Sequence, residues 1–275
     1  LELDEDTGHG TVQVGLGKDG ITAVYQGVSG TPVIPSTVTD ADGNVYDVVS
    51  VGDHAFGSDY YVTACQLLKG IVLPDSSITS IGVGAFENCR AITSVTLPAS
   101  LETLGASAFS GCTALASVDT TRAMRLTSIS AYAFQRCAAL ASFTVPAGVT
   151  SLGDYAFYGC YSLDNYYEKG LKTITFAKGS QLSSIGNYAF AEDLLLEGNI
   201  VFPSTLQTIG DRAFSDCAIE SLEFTGAISY IGAQAFYLNM DIASITFDVD
   251  VPGASFGSDC TGKISTTSPR TRNLL

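Results

Sequence analysis

A six-residue string recurs along this chain at a spacing too short to be a domain. It reads aliphatic-Gly-x-x-Ala-Phe, with single lapses, and closes at Phe56, Phe86, Phe109, Phe134, Phe157, Phe190, Phe214 and Phe236. Val251 to Phe256 reads as a degraded ninth copy. Successive phenylalanines lie 30, 23, 25, 23, 33, 24, 22 and 20 residues apart. A unit of about 23 residues cannot cover its own apolar side chains, so the units must stack, each closing the core of the next.

The rest of the unit is read by counting from each Phe. After Phe86 come Cys89 at +3, Ile92 at +6, Val95 at +9, Leu97 at +11, Pro98 at +12 and Leu101 at +15. After Phe134 the same offsets hold Cys137, Leu140, Phe143, Val145, Pro146 and Val149. In Ser94-Val95-Thr96-Leu97 apolar and polar residues alternate, the period of a short strand with one buried face. Proline has no amide hydrogen for a continuing ladder, so it fits the strand end, where Pro74, Pro98, Pro146 and Pro203 recur. Each unit is expected to give one strand and a turn, with strands stacked about 4.8 Å apart. The hexapeptide Gly is expected to make a tight bend, Ala a close approach, and Phe to fill the interior.

The pattern Cys-x-x-Leu-x-x-Ile-x-Leu-Pro, followed by aliphatic-Gly-x-x-Ala-Phe, resembles the BspA-type class of leucine-rich repeats across roughly residues 50 to 256. Ser130 departs from it in place of the Gly, Thr120 in place of an apolar strand residue, and the last copy departs throughout. The resemblance implies a β-rich solenoid, a right-handed leucine-rich-repeat superhelix of about nine coils, and a bacterial protein acting in adhesion. Residues 1–49 alternate without the hexapeptide, turn at Asp42-Gly43-Asn44, and read as an N-terminal β-hairpin cap. Residues 50–257 are the solenoid and 258–275 an irregular tail.

Six cysteines keep one register, at the third position after a Phe: Cys89, Cys112, Cys137, Cys160 and Cys217, joined by Cys65 if six inserted residues are allowed for. Asp193, Asn239 and Asp259 hold that position where Cys is missing. Cys260 is out of register. In leucine-rich repeats this position forms a stacked ladder serving backbone amides at a bend, so the resemblance implies a structural row of buried thiols, Asn and Asp. The competing reading, disulfides with one cysteine left over, fits a regular row less well. Metal binding is disfavoured because the cysteines recur once per coil and the histidines number two, His9 and His54.

Charge narrows the partner. Twenty-eight acidic against 13 basic residues give a net charge of −15, which opposes binding to nucleic acid phosphates or anionic membrane. No apolar run approaches the roughly 20 residues of a membrane span. The opening Leu1-Glu2-Leu3-Asp4-Glu5-Asp6 is too acidic for a signal peptide, so an exported form would already have lost one. A charged fraction of 15% with abundant Ser, Thr, Gly and Ala fits an extracellular or cell-surface β-rich protein.

Chemistry-bearing motifs resolve into turns. Gly15-Leu16-Gly17-Lys18-Asp19-Gly20 fits the dinucleotide-binding string, but strand-like Ile21-Thr22-Ala23-Val24 follows where a helix is required. Asp40-Ala41-Asp42-Gly43-Asn44 lacks the later ligands of an EF-hand and reads as a plain turn. His54 is the natural general base to test, yet no Ser or Cys is tied to it by a motif. The expectation is therefore a non-enzymatic, monomeric protein without cofactors. Its partner is expected to be another protein, of a host, a neighbouring cell or the matrix.

The site expected to bind is the insertion in the 33-residue unit, Asp164, Asn165, Tyr166, Tyr167, Glu168 and Lys169, because loops carry recognition and Tyr gives contact area at small entropic cost. Packing of that loop on its own scaffold is the bland alternative. Ser58-Asp59-Tyr60-Tyr61, and an outward row of Thr96, Asp119, Thr144, Thr175, Glu223 and Thr246, are weaker candidates. A structural spacer within a larger surface protein, with no ligand of its own, is the alternative function.

Overall fold

The computed structural model describes residues 10–14, 29–57, 65–162, 169–249 and 253–259. Three strands open the chain: β1 (Gly10–Val14), β2 (Thr37–Thr39) and β3 (Val45–Val51). Thereafter two kinds alternate: β4 (Ser80–Ile81), β5 (Ser94–Thr96), β6 (Thr103–Leu104), β7 (Ser117–Asp119), β8 (Ser128–Ile129), β9 (Ser142–Val145) and β10 (Ser151–Leu152). The series continues with β11 (Thr173–Phe176), β12 (Ser184–Ile185), β13 (Glu197–Phe202), β14 (Thr208–Ile209), β15 (Ala218–Phe224), β16 (Tyr230–Ile231), β17 (Ser244–Phe247) and β18 (Ser255–Phe256). Among the described residues there is no helix. The architecture is a β-solenoid of stacked coils.

Each coil thus carries two strands, where the alternating pattern alone indicated one. The longer strands are those expected at +9 to +11. They form separate sheets, β5–β7, β9–β11 and β13–β15–β17. The even-numbered strands from β4 onward, only two residues long, join β3 and β1 in one parallel sheet running the length of the molecule. Two residues show no alternation, which is why this sheet is invisible to a period-2 search. The second sheet breaks where its sequence departs from the pattern. Thr120 follows β7 and turns its hydroxyl to the Thr144 carbonyl (2.8 Å), and Gly198 bulges at the start of β13.

The core is a spine of stacked rings. Phe56, Phe86, Phe109, Phe134, Phe157, Phe190, Phe214 and Phe236 follow one another with centroids 4.8 to 5.5 Å apart and planes within 14°. Each is at most 4% exposed, so ring stacking adds to a full burial term. The hexapeptide Ala beside each Phe is fully buried.

The hexapeptide glycine works differently from expectation. A Cβ on Gly82, Gly105, Gly153, Gly186, Gly210 or Gly232 would lie 2.4 to 2.7 Å from atoms of the preceding coil, mostly its backbone, and none of these glycines has positive φ. Glycine is needed for coil-to-coil contact. Ser130 tests the point: β6 and β8 keep only the Leu104–Ile129 pairing, and the adjacent Phe109–Phe134 step is the widest in the spine at 5.5 Å.

At the N-terminal end, β2 and β3 form the antiparallel hairpin around Asp40–Asn44. β1 instead pairs parallel with β3, and Gly52 N–H donates to Val14 C=O (2.7 Å) as Gly82 does to Val51 C=O (2.8 Å). Gly30 and Val33 pair with Leu68 and Val72, extending the second face as well. At the other end, β18 sets Phe256 opposite Ile231. Phe256 is therefore the residue that opens a hexapeptide. The ninth copy begins there, so Asp259 does not belong to the cysteine row.

Candidate functional site

Two rows run along the coils on either side of the phenylalanine spine. The buried one lies three residues after each Phe. Cys89, Cys112, Cys137, Cys160 and Cys217 donate their Sγ–H to the carbonyls of Phe56, Phe86, Phe109, Phe134 and Phe190, at 3.1 to 3.4 Å. The expectation was service to backbone amides, and the thiols do the reverse. Cys65 stands beside Cys89 at the start of the row. All six are reduced and buried, and burial pushes those from Cys89 onward well above the ordinary thiol range. Such thiols are inert as nucleophiles.

Asp193 and Asn239 do accept from amides. Asn239 Oδ1 takes the Ile219 N–H (3.3 Å), and its Nδ2 donates to the Phe214 and Phe236 carbonyls (2.6 and 3.0 Å). Asp193 Oδ1 takes the Cys160 N–H (2.8 Å), while Oδ2 is buried with no partner. Burial pushes the Asp193 carboxyl well above the usual carboxylate range.

The exposed row, at least partly open to solvent at every rung but the buried Gly84, lies two residues before each Phe: His54, Gly84, Ser107, Tyr132, Tyr155, Tyr188, Arg212, Gln234 and, by the corrected register, Asp259. All nine have φ between 51° and 59°. The left-handed turn is costly for non-glycine residues, and from His54 to Gln234 it is held because each backbone N–H donates to the next coil, as Tyr132 does to Asp154 and Tyr155 to Asn187 (3.0 and 2.9 Å). One position earlier, Asp53, Asp154, Asn187 and Asp211 each accept the next coil's N–H through Oδ1 at 2.7 to 2.8 Å. A rigid, repeated backbone therefore presents a variable side chain once per coil.

In three consecutive coils that side chain is tyrosine. Tyr132, Tyr155 and Tyr188 stack with centroids 5.1 and 4.8 Å apart and planes 8° and 3° apart. The Arg212 guanidinium covers the far ring at 5.9 Å and donates Nε–H to Gln234 Oε1 (2.7 Å). Tyr158 meets Tyr155 edge-on at 5.4 Å and is bonded to Glu192, which with burial raises its phenol pKa. The result is an aromatic ridge with a cation at one end.

A model of BspA-type leucine-rich repeat regions matches residues 46–164 and 164–260, with six copies. The chain belongs to the BspA-type leucine-rich-repeat family. Among solved structures, a leucine-rich repeat protein from Bacteroides ovatus ATCC 8483 is similar at 27% identity and TM-score 0.56, over 97% of this chain and 69% of that one. A leucine-rich cell surface protein from Faecalibacterium prausnitzii A2-165 shares the fold at 22% identity and TM-score 0.53, over 94% and 73%. So does the pneumococcal vaccine antigen PcpA, at 20% identity and TM-score 0.51, over 90% and 71%. No curated protein matches the chain in sequence.

Within this BspA-type solenoid the tyrosine insertion, Asp164 to Glu168, lies outside the described residues, as does Ser58 to Tyr61. Lys169 is described and exposed, next to Gly170, which pairs with Tyr161. The outward row is at the surface, with Thr144 and Thr175 sharing a hydroxyl hydrogen bond (2.9 Å) and Asp119 bonded to Thr121. Asp40 accepts Asp42 N–H, Asn44 N–H, Asn44 Nδ2–H and the Tyr46 hydroxyl, each at 2.9 Å, which lowers its pKa and commits it to the hairpin. The Gly15 to Gly20 string lies outside the described residues. Among the described residues no three His, Cys, Asp or Glu converge as metal ligands, and no helix is long and apolar enough to cross a membrane. A shallow cleft of about 460 Å³ opens between β11 and β13, over Ile174, Phe176 and Phe202.

The tyrosine ridge was not singled out in the sequence. Its signal was available: the second x of the hexapeptide is Tyr in three successive copies, ISAYAF, LGDYAF and IGNYAF. Those positions vary from copy to copy, and three equal ones form a single surface only once the coils are stacked.

Proposed function

We propose that this protein is a non-catalytic, cell-surface or secreted binding module that holds a protein partner against the exposed hexapeptide row. The observation that carries this reading is the Tyr132–Tyr155–Tyr188 ridge, capped by Arg212 and built on backbone rigidly repeated from coil to coil. Tyr and Arg are the residues that most often dominate protein interfaces, and pre-ordered rings give up little entropy on binding. The insertion at 164–168 follows Tyr155, Tyr158 and Tyr161 in the same repeat of the sequence. The description of the Faecalibacterium neighbour as a cell surface protein supports display outside the cell. Adhesion to a host, neighbouring-cell or matrix protein is the role this reading assigns.

The test is to pass the purified protein over immobilised matrix and serum proteins. Saturable binding to at least one of them, lost in the triple variant Tyr132→Ala, Tyr155→Ala, Tyr188→Ala, is expected. If nothing on the panel is bound saturably, the module reading gives way to a spacer.

A further inference from the structure

The exposed row has an asymmetry. The Tyr188 end of the ridge is covered by Arg212. At the Tyr132 end the next rungs are Ser107 and Gly84, with no ring to continue the stack, and Tyr132 remains 38% exposed. Beyond them the row closes again. A Cβ on Gly84 would lie 2.5 Å from His54 Nδ1 and 3.2 Å from Glu87 Oε2, so an imidazole and a carboxylate stand over Gly84. Ser107 thus sits between the Tyr132 rung and the Gly84 rung over which that imidazole and carboxylate stand. Ring steps along the tyrosine stack are about 5 Å, the thickness of one planar group, and the small Ser107 side chain supplies no such group at its rung.

We infer that this gap is a binding slot for an arginine side chain of a basic protein partner. An aromatic face attracts a cation, and a flat guanidinium stacks on a ring better than a rounded ammonium. The molecule already shows the arrangement at its other end, where its own guanidinium completes the stack over Tyr188 from the equivalent position. A net charge of −15 draws basic segments toward the surface. The inference rests on the reading of this row as a binding face, and it names the chemistry of one contact there.

The probe is a blocked peptide Gly-Gly-Arg-Gly-Gly, with Gly-Gly-Lys-Gly-Gly as control, titrated into protein carrying ¹³C-labelled tyrosine rings. One ring resonance, assigned to Tyr132 by its loss in Tyr132→Ala, should shift saturably with the Arg peptide and about twofold to fivefold more weakly with the Lys peptide. Ser107→Tyr and Ser107→Arg, which fill the slot from within, should abolish the shift. Both residues occur elsewhere in the row at the same φ, and matching melting curves verify folding. Tyr188→Ala should leave it unchanged. An unsaturable shift, equal response to Lys, or binding that survives both Ser107 variants overturns the slot. The peptide assay needs no natural partner, so its failure is separate from a failure of the matrix panel.

Discussion

The buried row and the exposed row run along the same stack of coils on equally regular backbone, yet they tolerate different things. Three residues after the spine, the rungs are thiols with two substitutes, because each must satisfy a buried carbonyl or amide from a small volume. Two residues before the spine, the rungs are His, Gly, Ser, Tyr, Arg, Gln and Asp, because only the left-handed φ is imposed and solvent accepts any side chain. The row that repeats well carries the fold, and the row that varies carries what distinguishes one coil from the next.

The largest contrast is in thiol reactivity. With burial raising the thiol pKa and closing access, labelling of Cys89, Cys112, Cys137, Cys160 and Cys217 should be at least about a thousandfold slower in native protein than in denaturant. Mass spectrometry after timed alkylation without reductant measures it. If denaturation frees no additional thiols, the row is disulfide-bonded and the ladder description fails. Next comes the spine itself: Phe157→Ala removes a fully buried ring stacked on both sides and should cost about 3–5 kcal/mol in urea unfolding.

Asp193 is the rung that breaks its own row, and replacing it should stabilise. Asn239 shows what a neutral amide achieves at this position: Oδ1 accepts, Nδ2 donates, and no polar atom of that side chain is stranded. Asp193→Asn would keep the Cys160 N–H contact and bring a donor to the site of the unpartnered Oδ2. By register that donor would serve the Phe157 carbonyl. We expect a gain of about 1–3 kcal/mol at pH 7, the usual cost of a stranded buried polar group. The pH dependence has a definite sign. The folded pKa is raised, so the native state holds the proton more tightly than the unfolded chain. The contribution of Asp193 is therefore full below the unfolded value near 4 and is lost as pH rises through the folded one. The advantage of the Asn variant should widen on going from pH 4 upward. A constant difference in unfolding free energy between the two proteins across that range would refute the assignment.

Much of the buried half of this comparison was legible in residue order. Buried positions are filled by size and polarity, so Phe86, Ala85, Cys89 and Val95 announce themselves by recurring. What recurrence could not supply was direction and partner. Cys and Asn at one position imply a polar row, but whether Sγ donates or accepts depends on which backbone group lies opposite in the neighbouring coil. The role of the hexapeptide glycines stays hidden for a similar reason, since a bend and a close approach demand the same residue and only the neighbouring backbone distinguishes them. The ninth copy was misaligned because Phe256 satisfies two positions of the pattern, and strand pairing with Ile231 chooses between them. The exposed half was hardly legible, because the identity of Tyr132, Tyr155 and Tyr188 matters only once the coils are stacked.

The smallest expected effect on stability is the one with most bearing on function. Tyr155 lies two residues from Phe157, stacks on a ring to either side, and stands over the same coils. Its ring is partly solvated and its backbone geometry is shared with Ser107 and Gln234, so truncation neither strands a polar group nor opens a cavity. Tyr155→Ala should therefore cost at most about 1 kcal/mol, against several for Phe157→Ala in the same assay. In a binding assay the order should reverse for folded protein. Removing the central ring splits the ridge and frees Tyr132 and Tyr188 to move, so the affinity for any captured protein should fall roughly tenfold or more. A Tyr155→Ala protein that binds as tightly as its parent would show that the stack is a surface ornament of the repeat, and the binding face would have to be sought on another side of the coils.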